Sequence, residues 1–178
     1  KEKEKQKEKV EELNQQEKEY LMECGKRTWQ FFKDMLTKEN NYLPPDNYQE
    51  DRKPQAVPRT SSTNIGLGLL AVVSGYDLGY ENLYDTLELL NKMVQVIESL
   101  QKWHGHLYNW YNIKTLEPLI PRYISTVDSG NFIGYVYVLK SFYKEAREKI
   151  LEDENLSKEQ KEKYLALIPY WVDKQINE

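Results

Sequence analysis

The sequence predicts an all-α protein in which outer and inner helices alternate, as in a helical toroid or solenoid. Several segments carry apolar residues at steps of three and four, which is typical of helices with one buried face. Two further segments are apolar on all sides and are predicted to be buried all round. Each follows a long polar loop, and both junctions read alike, with an arginine followed by a Ser-Thr pair. This repeat of about 60 residues indicates stacked helix pairs.

The first element is a helix that follows a charged segment. Residues 1–19 are rich in lysine, glutamate and glutamine, and we expect them to form a solvated helix or to fray, without a function. An apolar stripe with helical spacing comes next, and its rings Trp29, Phe31 and Phe32 are predicted to lie in the core. The helix must end before Pro44, because the α conformation is disfavoured before a proline.

The next elements are a proline-rich loop, residues 40–61, and an inner helix. The loop contains four prolines and no periodicity, and a loop of this length in a compact domain is usually functional or disordered. The segment TNIGLGLLAVVSG has no polar face, so it is predicted to be a buried helix. Ser62 or Thr63 can cap its start, and Gly75 can close its end.

The rest of the chain repeats this arrangement. An amphipathic segment at residues 83–100 predicts an outer helix, and a second polar and aromatic loop follows at residues 102–127. The loop enters GNFIGYVYVLKSFYKEA, which is nearly uncharged at its start and is predicted to be a second inner helix. A capping box at residues 157–160 precedes a last helix, which Pro169 ends or kinks. Because both loops precede an inner helix, we expect them to meet at one rim.

The composition excludes several classes of function. The net charge is only −4, so the chain has no broad basic surface for nucleic acid and no polybasic membrane anchor. Its single cysteine, Cys24, excludes a disulfide framework and argues against a cysteine-based zinc site. No glycine-rich phosphate loop and no nucleophile elbow occur, and we expect no cofactor. The chain also lacks an initiator methionine, and we expect it to be a segment of a longer polypeptide.

The stretch HGHLYNWY, residues 104–111, contains both histidines of the chain. On an extended segment, His104 and His106 would point the same way and could share a metal ion. A catalytic zinc site needs a third protein ligand, and the sequence offers none at a recognisable spacing, so we predict no metal site. The alternative without function is that one histidine hydrogen-bonds within the loop and the other caps a helix end.

The same stretch mixes aromatic rings with an amide, which is typical of sugar-binding loops. A ring face gives the C–H bonds of a sugar an apolar surface, and the sugar hydroxyls need both donors and acceptors. Such a site orients its ligand through hydrogen bonds that are costly to leave unmade.

The acids of the loops are Asp46, Glu50, Asp51 and Asp128, and glycoside chemistry generally needs two carboxylates across the bond that breaks. Asp128 stands where the second inner helix starts, so capping that helix is the alternative to a sugar contact. Asp46 follows two prolines, where a role in a turn is the alternative. We keep these two as catalytic candidates without assigning either. Arg59 could pair with a buried acid or hold a group of the ligand.

Five blocks of the sequence resemble the middle, glucoamylase-like domain of cyclic β-1,2-glucan synthases. The blocks are RTWQFF (27–32), LPPDNYQED (43–51), PRTSSTNIGLGLL (58–70), GHLYNWY (105–111) and LEPLIPRYISTVDSGNFIG (116–134). The resemblance runs from about residue 20 to about residue 145, and the order and spacing of the blocks make it specific.

This resemblance implies a partial (α/α)6 toroid, with residues 20–178 as the N-terminal portion of the domain and about five helices in outer–inner pairs. It implies a large parent enzyme in a bacterial membrane, whose glycosyltransferase part elongates a β-1,2-glucan on the cytoplasmic side. The middle domain of such a parent closes the glucan into a ring by transglycosylation. The family's catalytic carboxylates lie later in the domain, so we expect this chain to bind glucan without turning it over. We also expect its uncovered inner-helix surface to meet the remaining helices of the parent domain, or to dimerise.

We therefore predict that the chain binds a β-1,2-glucan oligosaccharide. Two alternatives stay open, an endo-β-1,2-glucanase-type hydrolase domain of the same fold and a non-enzymatic helical-repeat scaffold that binds protein. The residues predicted to contact the sugar are Asn47, Arg59, His106, Asn109, Trp110, Tyr111, Asp128 and Asn131.

Overall fold

The computed structural model describes residues 12–174, and this part of the chain is mainly helical. Its five α-helices are α1 (Gln15–Met35), α2 (Ser62–Asp77), α3 (Leu83–Ser99), α4 (Thr126–Glu152) and α5 (Lys158–Leu165). Its short strands are β1 (Arg59–Thr60), β2 (Lys102–Trp103), β3 (His106–Leu107) and β4 (Tyr111–Asn112). Two 3-10 helices, Lys38–Asn40 and Tyr170–Asp173, complete the described elements. The prediction of an all-α fold with about five helices is confirmed. None of the described helices is long and apolar enough to cross a bilayer.

Helix α2 lies at the centre and packs against α1, α3 and α4. Two of its glycines make this close packing possible. A Cβ added to Gly66 would lie 2.0 Å from Cδ2 of Tyr135, and one added to Gly75 would lie 3.0 Å from the Trp29 ring. The prediction of an inner helix is thus confirmed, although the side chain of Leu67 is exposed.

The predicted ends of α2 are wrong at both termini. Ser61 caps the helix, because its backbone is extended and its side chain accepts a hydrogen bond from the Asn64 N–H. Ser62 is already the first helical residue, so neither it nor Thr63 is the cap. Gly75 lies inside the helix, where the space left by its missing side chain holds Trp29.

Helices α1 and α3 are the outer helices. The buried side of α3 includes Leu87, Leu90 and Met93, as its amphipathic pattern predicts. In α1 only Trp29 is buried, and its Nε1 donates to the Glu81 carboxylate at 2.9 Å. The prediction that the three rings of α1 lie in the core is wrong for Phe31, which is exposed, since only a narrow side of α1 contacts α2.

Helix α4 is buried along its second half only. Buried residues here include Tyr143 and Ile150, whereas Val127 is 71% exposed and Ile133 is 50% exposed in the first half. Gly134 has open space where a side chain would lie. The prediction that the start of α4 is interior is therefore wrong for this chain, because α2 packs against one side while apolar side chains elsewhere on this half remain exposed.

The two long loops lie together where α2 and α4 begin. Strands β1 and β4 pair antiparallel, with Arg59 opposite Asn112 and Thr60 opposite Tyr111. The Ile113 N–H donates to the Pro58 carbonyl at 3.2 Å, which extends the contact. The prediction that both loops meet at one rim is confirmed.

Candidate functional site

Where the loops meet, five side chains form a group that we call the loop cluster, Asp46, Arg59, Asn109, Trp110 and Asp128. The pairing of β1 with β4 brings Arg59 beside Trp110, which directly precedes β4. The Arg59 guanidinium carbon lies 4.4 Å from the centre of the Trp110 ring. Its Nε and Nη2 donate to Asp46 Oδ2 at 3.1 and 2.9 Å. Stacking on the ring and pairing with the acid hold the flat guanidinium in one orientation.

Asp46 is an ion-pair partner surrounded by donors. Besides Arg59, Asn64 donates to its Oδ1 at 3.2 Å and Asn47 donates to its Oδ2 at 2.9 Å. Burial by itself would raise the pKa of Asp46, but the hydrogen bonds and the charge of Arg59 outweigh burial and hold this pKa below its usual value. A carboxylate so stabilised in its charged form anchors Arg59 and is poorly suited to donate a proton.

Asp128 lies in the first turn of α4, and Ser125 is the cap of that helix. Capping by Asp128 is therefore wrong as an alternative, because its own N–H donates to the Ser125 hydroxyl. Its Oδ1 accepts a hydrogen bond of 2.6 Å from Thr63 Oγ1. Thr63 and Asn64 are consecutive residues of α2, so the start of one helix binds both Asp128 and Asp46.

Asn109 connects Trp110 to Asp128. Its Nδ2 lies 3.2 Å from Asp128 Oδ2, and its Oδ1 accepts from Trp110 Nε1 at 2.6 Å and from the Tyr123 hydroxyl at 2.7 Å. In the reverse orientation the amide oxygen would face only acceptors and the nitrogen only donors, so the chemically consistent orientation is the one with Oδ1 toward Trp110. These bonds join both loops and the start of α4 in one network.

The two histidines lie apart from this network, on a hairpin. Strands β2 and β3 pair around a two-residue turn in which His104 and Gly105 both have positive φ, as a type I′ turn requires. The assumption of one extended segment is therefore wrong, because the chain reverses at His104. Among the described residues, no group of three or more His, Cys, Asp or Glu could hold a metal ion.

Besides His106, two residues that were predicted to contact sugar, Tyr111 and Asn131, lie outside the network. Tyr111 is fully buried, its hydroxyl donates to the Gln101 carbonyl at 2.8 Å, and burial raises its pKa to about 12. Because it has no face open to a ligand, we leave Tyr111 out of the candidate site. Asn131 is exposed on α4, and His106 is exposed on β3. No described hydrogen bond links either residue to the loop cluster, whereas Asn47 contacts Asp46 directly.

Thr63, Asn64 and Tyr123 were not among the residues predicted to form the site, although they hold the cluster residues in place. A signal for the first two exists, since Thr63 and Asn64 are the polar start of an otherwise apolar helix. Beside Asp128 there is also an apolar groove of about 580 Å³ between the β2–β3 hairpin and α4. Its lining includes Ser129, His106 and Tyr137.

Comparison with known proteins gives one relative in sequence and several in structure. No protein-family model matches the chain. Over 127 residues, 71% of its length, the chain is 42% identical to the cyclic beta-(1,2)-glucan synthase NdvB of Rhizobium meliloti (strain 1021), and it spans 4% of that protein. The resemblance to this class of synthase is therefore confirmed.

Two solved structures illustrate the fold. A candidate glucoamylase from Bacteroides fragilis NCTC 9343 superposes with a TM-score of 0.63 at 19% identity, over 92% of this chain and 37% of that one. The endo-beta-1,2-glucanase from Chitinophaga pinensis superposes with a TM-score of 0.63 at 18% identity, over 84% of this chain and 35% of that one. At these identities the likeness establishes a glucoamylase-like helical fold.

Proposed function

We propose, from the homology of this chain to a segment of a cyclic β-(1,2)-glucan synthase, that it binds β-1,2-linked glucan as part of a glucan-acting helical domain. The observation that carries the proposal is the loop cluster, in which Arg59 and Trp110 lie together with Asp46 of the first loop and Asp128 at the start of α4. Such loops at one end of stacked helices are where a rigid scaffold presents binding residues.

The chemistry of the loop cluster suits a neutral polyhydroxyl ligand. Asp46 neutralises Arg59, and Asp128 leaves one further formal negative charge, so the cluster does not favour phosphate or another anion. Trp110 is partly exposed and offers an aromatic edge or face, while Asp128 and Arg59 offer acceptors and donors. Sugar rings need this combination of an apolar surface and hydrogen-bonding groups.

We further propose that this chain supplies binding residues to a parent domain that forms rings by transglycosylation, in an enzyme at the cytoplasmic face of a bacterial membrane. In that reaction a hydroxyl at the chain end attacks the glycosyl group held by the enzyme, in place of water. Positioning of the glucan and exclusion of water favour this outcome. The catalytic carboxylates would come from other parts of the parent, as the resemblance to the synthases implies, and of the two candidates in this chain Asp46 is already committed to Arg59.

The exposed first half of α4 supports the idea of an incomplete domain. Its apolar side chains include Val127, Ile133 and Val138, which are typical of a helix that packs against further helices. The chain also covers little more than a third of the B. fragilis and C. pinensis structures. We propose that further helices of the parent domain cover this side of α4.

Titration calorimetry with linear β-1,2-glucan oligosaccharides tests the binding proposal. The chain should bind these and not β-1,4-linked glucose oligosaccharides, and Trp110→Ala should abolish detectable binding. Trp103→Ala is the matched control, because Trp103 is also an exposed tryptophan but lies on the β2–β3 hairpin, outside the loop cluster. Equal affinity of the chain and of Trp110→Ala, or no binding by a folded chain, would contradict the proposal.

Product analysis on the parent domain tests the reaction. Cyclic β-1,2-glucans among the products would support transglycosylation. Linear fragments without rings would instead assign the domain to the endo-β-1,2-glucanase type. Neither result affects the calorimetric test, which measures glucan binding by this chain alone.

A further inference from the structure

Asn109 is the most buried member of the loop cluster, and its neighbours are the ones that face outward. The residue is only 6% exposed, whereas Trp110 and Asp128 are partly exposed and Tyr123 is exposed. A ligand can therefore reach all three partners of the amide, while the amide itself is covered. This differs from the sequence prediction, which placed Asn109 in direct contact with sugar.

The hydrogen-bond capacity of the Asn109 side chain is matched to its three partners. The Oδ1 lone pairs take one N–H from Trp110 and one O–H from Tyr123, and Nδ2 donates toward Asp128. The Asn109 backbone N–H also donates to the Tyr123 carbonyl at 2.9 Å, which fixes the residue itself. Thr63 holds the other oxygen of Asp128, so neither carboxylate oxygen is free to turn.

We propose that Asn109 is a positioning residue, which sets the orientation of the Trp110 ring and the Asp128 carboxylate toward a common ligand without touching it. The inference rests on the proposed function for the identity of the ligand. It predicts that Asn109 acts on affinity through two side chains at once, because one amide restrains both.

At neutral pH only an amide can both accept from Trp110 and Tyr123 and donate to Asp128. Leucine would fill the space and leave Trp110, Tyr123 and Asp128 without their partner. Aspartate would keep the acceptor for Trp110 and Tyr123 but would place a second carboxylate against Asp128 Oδ2. Two facing carboxylates need a shared proton, so this substitution should function at acidic pH and fail at neutral pH.

Few titratable or charged groups lie near the proton that Asp128 would share with the new aspartate in Asn109→Asp. Asp128 and Tyr123 face the Asn109 side chain directly. Arg59 and Asp46 lie beyond the Trp110 ring and form an ion pair with each other. Any effect of these more distant groups on binding is shared by the unsubstituted chain, so it cancels when each variant is compared with that chain at the same pH.

The test combines glucan binding with a signal measured in the absence of sugar. Affinity for a linear β-1,2-glucan oligosaccharide is measured at about pH 7 and about pH 4 for the chain, Asn109→Leu, Asn109→Asp and the control Asn112→Asp. Asn112 lies on β4, and its Oδ1 accepts from the Lys114 N–H, a role that aspartate can keep. The indole N–H signal of Trp110, assigned with Trp110→Phe, is recorded by NMR for each folded variant at both pH values.

We expect Asn109→Leu to bind at least about tenfold more weakly at both pH values, the effect of losing buried hydrogen bonds. Asn109→Asp should show the same loss at about pH 7 and recover most of it at about pH 4, while Asn112→Asp matches the unsubstituted chain throughout. The Trp110 signal should shift in Asn109→Leu and return in Asn109→Asp only at acidic pH.

Two outcomes overturn the inference. One is a Trp110 signal that stays unchanged in Asn109→Leu. The other is an Asn109→Asp variant whose affinity, relative to the unsubstituted chain, does not depend on pH. If the unsubstituted chain binds no glucan, the proposed function fails, and the NMR signal alone then decides whether Asn109 orients Trp110.

Discussion

Arg59 lies between an acid and a ring, with its guanidinium carbon 4.4 Å from the centre of the Trp110 ring and its nitrogens bonded to Asp46. Lysine has no flat fork to stack on the ring and donate twice to one carboxylate. We expect Arg59→Lys to lower the free energy of unfolding by about 0.5–1 kcal/mol, a small value because Arg59 is partly exposed. Chemical denaturation measures it. Arg27→Lys, at the exposed ion pair with Glu23, is the control that should cause no measurable change. Equal effects of the two substitutions would show that the Trp110 stack contributes nothing.

Gly66 allows α4 to approach α2, and its replacement tests this packing. In Gly66→Ala the new Cβ would lie 2.0 Å from Cδ2 of Tyr135, so either the Tyr135 ring or one of the two helices must move. We expect a loss of about 2–3 kcal/mol in the free energy of unfolding, as for overpacked cores. Gly134→Ala on α4 is the matched control, since it has open space and should leave stability unchanged or raise it by about 0.5–1 kcal/mol. A neutral Gly66→Ala would mean that Tyr135 moves aside freely.

The sequence predicts those parts of the fold in which local patterning and burial agree. The amphipathic spacing of α3 and the lack of a polar face in α2 are visible in the sequence, and the order of loop and inner helix predicts that both loops meet at one rim. The pattern overstates burial at the start of α4, because apolar residues there match an environment that residues 12–174 do not provide. An apolar pattern shows that a segment is suited to burial, and it does so even when this chain lacks the helices that would bury it.

The candidate site is less predictable, because residue type does not reveal which side of a loop faces inward. Tyr111 and Trp110 are neighbours in the same aromatic stretch, yet the ladder between β1 and β4 buries the first and leaves the second partly exposed. The reversal at His104 depends on a turn whose only sequence signal is the glycine that follows it. The Asn109 side chain contacts Tyr123 and Asp128 as well as the neighbouring Trp110, and no local sequence pattern predicts these contacts.

The ion pair of Asp46 predicts a dependence of stability on pH. Burial opposes the charged form, but the bonds from Arg59, Asn64 and Asn47 lower the pKa of Asp46 in the folded chain below its unfolded value. A lowered pKa contributes stability above the unfolded value, near 3.8, and that contribution is lost as the pH falls through the folded value. We expect the stability difference between the chain and Asp46→Asn to shrink from about pH 6 to about pH 3 in urea titrations. Asp51→Asn, at an exposed acid of the same loop, should show a smaller change, and an identical profile for both variants would contradict the assignment.

The uncovered side of α4 predicts that the isolated chain associates with itself. Ile133 and Val138 are each about half exposed, and exposed apolar side chains of this kind favour burial against a partner. Sedimentation velocity should show association that increases with concentration, and Ile133→Glu combined with Val138→Glu should yield monomers with unchanged helix content. Leu151→Glu is the control, because Leu151 is also exposed but lies near the other end of α4, about 27 Å along the helix axis from Ile133. If the control dissociates the chain as completely as the double variant, the contact surface lies elsewhere, and a chain that is monomeric at every concentration excludes the self-association altogether.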